Sequence, residues 1–160
     1  MVCLCNPNNP TGQLIDREVL EQVADYCQKT DTCLLLDECF HDFLEEGSVH
    51  TLLPRVKENP KLFVLRAFTK MYGMAGLRLG YGICSDTELI RRMEQVTQPW
   101  NVSVPAQAAG IAAAREQEFV AVSRQMITEQ KKLLLAGLEA AGAKYTVRRQ
   151  TIFFPGSTGI

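Results

Sequence analysis

The run Cys33-Leu34-Leu35-Leu36 ends in two carboxylates, Asp37-Glu38, and no other segment constrains the fold as tightly. An uninterrupted apolar run of this length predicts a strand buried on both faces, as in a parallel sheet covered by helices. Val2-Cys3-Leu4 and Leu62-Phe63-Val64-Leu65 have the same character. Each of these runs leads into residues able to do chemistry: an Asn-rich turn, the two acids, and a lysine at position 70. Open α/β sheets bind their ligands outside the carboxyl ends of the strands. An amide, a carboxylate and an amine gathered at one sheet edge therefore outline a candidate site.

The lysine lies in Phe68-Thr69-Lys70-Met71-Tyr72-Gly73-Met74-Ala75-Gly76-Leu77-Arg78-Leu79-Gly80-Tyr81. On its own, Lys70 would read as a solvated loop lysine. In this order it suits a covalent cofactor site: an amine to form a Schiff base, small turn-forming residues, then a fixed cation for a phosphate. The turn after the first run is Cys5-Asn6-Pro7-Asn8-Asn9-Pro10-Thr11-Gly12. Its prolines fix φ, Gly12 permits a tight bend, and the asparagines tolerate unusual backbone angles. An ordinary strand-to-helix turn would look the same; the other two segments favour a binding role.

With PNNPTG, DECF and TKMYGMAGLRLGYG in this order, the sequence resembles the fold-type-I, pyridoxal 5'-phosphate (PLP)-dependent class I/II aminotransferases. Within that group it is most similar to histidinol-phosphate aminotransferases and threonine-phosphate decarboxylases. The stretch Gln98-Pro99-Trp100-Asn101-Val102-Ser103-Val104-Pro105-Ala106-Gln107, together with Phe40 and His41-Asp42-Phe43, looks more like the decarboxylase branch. The resemblance implies an α/β fold, part of the aspartate aminotransferase-like large domain, with a mostly parallel sheet flanked by helices. It also implies roles that the chemistry makes sensible. Lys70 would carry PLP and act as general acid/base. Asp37 would sit against the pyridine nitrogen, where a carboxylate favours the protonated ring. Asn9 would donate to the ring oxygen, Arg78 would clamp the phosphate, and Thr69 would add a hydroxyl. Phe40 would contact the cofactor at a position where many aminotransferases have Tyr.

Two positions depart from the family pattern. Ala67 stands three residues before the lysine, where Ser or Thr is usual; the missing hydrogen bond is worth about 1 kcal/mol and weakens PLP binding without abolishing it. Phe40 lacks the hydroxyl that would reach the ring oxygen, which favours decarboxylation over transamination. The resemblance further implies a piece of a longer protein: residues 1–141 as the later part of the large domain with its bridging helix, and 142–160 as the start of a small domain. A glycine-rich phosphate loop, a ring-stacking aromatic and a carboxylate-binding arginine are expected elsewhere in such a protein. The 160 residues alone should turn over poorly. The expected substrate is a small, amino-acid-like, phosphorylated molecule, and the expected assembly is a homodimer.

A formal net charge of −1 with mixed signs leaves no electrostatic footprint for nucleic acid or membrane. The six cysteines, without CxxC spacing, are expected mostly as buried thiols and not as metal ligands. His41 and His50 read as structural or surface residues, and a cytoplasmic location is expected. Asp16 is a candidate cap for a helix carrying Val19, Leu20, Val23, Ala24 and Cys27. Leu79–Cys84 predicts another strand, its glycines allowing close backbone approach. Helices are expected from Asp86 to about Val96 and from about Glu116 to Ala141, with Gly142 as terminator. Residues 144–149 and 151–154 resemble paired strands. A non-catalytic PLP-binding sensor is the alternative from a different functional class.

Overall fold

The computed structural model describes residues 1–142. Strands β1 (Val2–Cys5), β2 (Leu34–Asp37), β3 (Leu62–Ala67) and β4 (Gly80–Ile83) form one sheet in that order. β1, β2 and β3 run parallel, and β4 returns antiparallel to β3. Helix α1 (Arg17–Lys29) connects β1 to β2. The β2–β3 connection holds 3₁₀ turns at His41–Phe43 and Leu53–Lys57 and the short helix α2 (Gly47–His50). After β4 come α3 (Thr87–Val96), α4 (Val104–Ala113) and the long α5 (Gln117–Ala140). The expected strands at 144–149 and 151–154 lie outside the described residues.

The core forms where apolar periodicities meet. Helical spacing brings Leu20, Ala24 and Cys27 to the inner face of α1, where they pack on Leu34, Leu36, Leu62 and Val64 of the sheet and on Leu52 and Val56. Each fully buried leucine of this set contributes about 1.5–3 kcal/mol. A second cluster, Phe40, Phe43 and Met71 with Tyr72, Val120 and Ile127, joins the strand ends to α5.

Three expectations need correcting. β2 is sealed on one face only: Leu34 and Leu36 are buried, Leu35 is half-buried, and on the same outer side Cys3 of β1 is exposed. The described residues provide no layer that closes this second face. For the same reason only Cys27 is a buried thiol; the remaining cysteines are partly or fully exposed. Asp16 occupies the position before α1 but its side chain makes no capping bond, whereas Asp86 accepts from the Leu89 N–H at 3.0 Å and does cap α3. The close approach expected at β4 is present, since a Cβ on Gly82 would lie 2.3 Å from the Phe63 ring. Helix α4 was not foreseen, although Ser103 accepting from the Ala106 N–H and Pro105 in the first turn are ordinary start signals.

Candidate active site

The sheet register carries three chain segments to one edge. Cys5, Asp37 and Leu65 lie opposite one another at the carboxyl ends of β1, β2 and β3. The Asn6 N–H donates to the Asp37 carbonyl at 2.9 Å and the Glu38 N–H to the Leu65 carbonyl at 3.0 Å, carrying the ladder just past the strands. The Asp37 carboxylate is fixed locally, its Oδ1 accepting from the Cys39 N–H at 2.9 Å in an Asx-type turn. Burial, followed by the hydrogen bond to Asp37, pushes the Cys39 thiol up to about 12, so it stays neutral beside the carboxylate.

The Asn-rich turn folds back on this edge. Asn8 Nδ2 donates to Thr11 Oγ1 at 2.8 Å, the Gly12 N–H donates to the Asn8 carbonyl at 2.7 Å, and Gly12 adopts φ +66°. Asn9 is exposed. Burial raises the Cys5 thiol pKa, the Asn9 backbone hydrogen bond opposes that shift, and the Asp37 charge adds to it. The Cys5 thiol donates to the Pro7 carbonyl at 3.2 Å.

Lys70 and Arg78 occupy the two shoulders of a single loop. The Phe68 N–H donates to the Leu79 carbonyl at 3.1 Å, closing the β3–β4 connection so that residues 69–78 form its excursion. Lys70 is exposed, with Nζ 5.4 Å from the centroid of the buried Phe40 ring, a cation–π distance. Thr69 is partly buried beside it. Arg78 is held at φ 57°, ψ 57°, a left-handed conformation that costs a non-glycine residue about 1–2 kcal/mol. Its Nη1 donates to the Ala75 carbonyl at 3.1 Å, using one of the guanidinium's donors. The loop is open, because a Cβ built on Gly73 or Gly76 would meet nothing within 4 Å.

The structure therefore joins Phe40 to Lys70 by contact and Arg78 to Lys70 through the loop, and sets Cys5, just ahead of the Asn-rich turn, in register with Asp37. Sequence reasoning missed what lies beneath. Glu38, 1% exposed, accepts from Thr51 Oγ1 at 2.7 Å, from the Leu52 N–H at 3.0 Å and from Arg66 Nε at 3.0 Å. Arg66 also pairs with Asp42 at 3.1 Å, and Arg124 of α5 donates through Nε and Nη2 to the Asp42 carbonyl at 3.0 and 2.8 Å. A signal was present in the sequence. Strand alternation puts Leu34, Leu36 and Glu38 on one face, and Leu62, Val64 and Arg66 on the same face of the neighbouring strand.

The model of the aminotransferase class I and II family matches residues 1–156. The chain belongs to that family. It is 38% identical to a histidinol-phosphate aminotransferase of Anaeromyxobacter sp. (strain Fw109-5), over 99% of this chain and 44% of that protein. It is 39% identical to a threonine-phosphate decarboxylase of Salmonella typhimurium (strain LT2), over 79% of this chain and 34% of that one. The fold matches a solved histidinol-phosphate aminotransferase from Clostridium acetobutylicum with a TM-score of 0.81 and 28% identity, covering 92% of this chain and 43% of that one. The chain thus spans less than half the length of the curated relatives it matches. The family's cofactor is PLP, and the donor set fits it: an accessible amine and a guanidinium on one open loop, an apolar ring against the amine, and a locally fixed carboxylate at the end of the neighbouring strand β2. No helix among the described residues is long and apolar enough to cross a membrane.

Proposed function

We propose that this chain carries the cofactor-attachment half of a PLP-dependent enzyme that decarboxylates a phosphorylated amino acid of the threonine-phosphate type. The supporting observation is Phe40. Its ring lies against the Lys70 amine and offers no hydroxyl where a proton could be donated or held. PLP, when bound, supplies an electron sink for negative charge developing at the substrate α-carbon. Lys70 would hold the cofactor through its side-chain amine and would be the group that moves a proton at that carbon. Asp37 holds the proton on the pyridine nitrogen, and its Asx-type turn keeps it aimed without reorganisation. Arg78, with Thr69, binds the cofactor phosphate, and Asn9 donates to the ring oxygen. Ala67 offers no hydroxyl to that phosphate, which lowers affinity by about 1 kcal/mol.

Amino transfer is the second reading, favoured by the aminotransferase likeness extending over 99% of the chain against 79% for the decarboxylase. Incubating the full-length protein with threonine phosphate separates the two. Release of carbon dioxide without a keto acid is the expected result; amino transfer that requires a keto acid would overturn the decarboxylase reading. A homodimer and a phosphorylated small-molecule substrate belong to the same proposal. So does the loss of turnover when residues 1–160 are expressed alone.

A further inference from the structure

Glu38 and Arg66 take no part in the chemistry described above, yet they form the most deeply buried ion pair among the described residues, with side chains 0% and 11% exposed and N–O at 2.7 Å. They are the next cross-strand pair after the ladder positions Leu34↔Leu62 and Leu36↔Val64. Glu38 directly follows Asp37, and Arg66 lies four residues before Lys70. A buried charge pair on the core side of a sheet is costly to desolvate, and replacing it by apolar groups is often neutral for stability. Stability alone is therefore a weak reason for its presence. Here every oxygen of Glu38 is engaged: Oε1 by the Leu52 N–H, Oε2 by Thr51 and Arg66. Arg66 reaches Thr51 Oγ1 at 3.2 Å and Asp42 at 3.1 Å. The pair thus ties β2 to β3 at the points where one strand delivers Asp37 and the other delivers the Lys70 loop.

We propose that Glu38 and Arg66 are positioning residues that hold Asp37 and Lys70 at a fixed separation across the β2 and β3 ends, so that one cofactor ring can engage both. This rests on the PLP reading of the site. Each group acts on a different atom of the same rigid ring, so a shift of one strand end relative to the other misaligns one of them.

The test uses the full-length protein carrying Glu38→Gln/Arg66→Met. That pair of changes removes both charges but leaves an acceptor for the Leu52 N–H. PLP affinity is measured by absorbance titration, and backbone amide exchange at Cys39, whose N–H is held by Asp37, is followed without cofactor. Arg55→Gln, in an ion cluster on the far side of α1, is the control. Affinity should fall about tenfold, the scale on which outer hydrogen-bond partners of a ligand matter, and exchange at Cys39 should accelerate. Arg66→Lys, which keeps the charge but not the fork, should fall between. Arg55→Gln should change neither reading. Unchanged affinity and exchange in the double variant would overturn the proposal, as would equal changes in Arg55→Gln. If the parent takes up no PLP, the cofactor reading fails, and the exchange measurement still decides whether the pair holds the Asp37 turn.

Discussion

Arg55 and Arg66 each gather acidic side chains from other elements, and the contrast between them shows what burial does to an ion cluster. Arg55 lies on the outer flank of α1, 29% exposed, bonded to Glu21 and to Asp25 at 2.8 Å; those partners are 25% and 48% exposed. Arg66 is 11% exposed and its principal partner Glu38 is sealed. The same chemistry therefore has different consequences. Around Arg55 the Nε is buried without a hydrogen-bond partner, but the guanidinium and its partners are partly exposed, and such pairs contribute about 0–1 kcal/mol. Around Arg66, loss of Glu38 leaves a buried guanidinium with only the part-exposed Asp42 to balance it, on the scale of about 3–5 kcal/mol for a broken buried pair. The outer cluster fastens α1 to the Leu53–Lys57 turn, whereas the inner one fastens the two strand ends that carry the candidate site.

The largest effect should come from breaking the inner cluster on one side only. Glu38→Leu should destabilise the protein by about 3–5 kcal/mol, read by urea unfolding, because Arg66 loses its sealed carboxylate and keeps only the part-exposed Asp42, while Thr51 and the Leu52 N–H lose their buried acceptor. A loss below about 1 kcal/mol would mean that Arg66 reaches water more easily than its burial implies. Next comes Leu36→Ala, expected to cost about 2–5 kcal/mol, because Leu36 packs in the cluster that α1 covers. This sets the scale of a purely apolar loss in the same strand. Arg55→Gln should cost no more than about 1 kcal/mol, and a loss as large as that of Glu38→Leu would erase the distinction between the clusters.

The smallest effect concerns Cys39 and pH. The folded state holds the thiol near 12 against 9.0 for an ordinary cysteine, through burial and its bond to Asp37. Below pH 9 both folded and unfolded chains are protonated and the preference is fully present. As pH rises from 9 towards 12 the unfolded chain ionises first, so stability declines over that window. Unfolding measured along that range should show a shallower decline in Cys39→Ala than in the parent. Near neutrality, Cys39 should also alkylate more slowly than the exposed Cys3.

The parallel strands and the segments that follow them were legible because each apolar run stops at a residue type that a core does not tolerate. Asp37 and Lys70 are conspicuous for that reason. Glu38 was not, since an acid after a strand reads as a loop solvator, and its partner Arg66 is 28 residues away. Only the period-2 alternation, continued one step beyond the apolar letters, marks both as core-facing. Helix α4 was hidden by its composition: Val104–Ala113 is nearly all small and apolar, so no amphipathic stripe announces it. The cysteines misled because apolar sequence marks a strand but not which of its faces is covered.

Everything proposed for the site depends on Lys70 as the attachment point for PLP. Borohydride reduction of the full-length protein incubated with PLP, followed by peptide mapping, tests it directly. A pyridoxyl group is expected on the peptide containing Lys70, with no incorporation in Lys70→Ala. Label on another lysine, or equal incorporation in the variant, would contradict it.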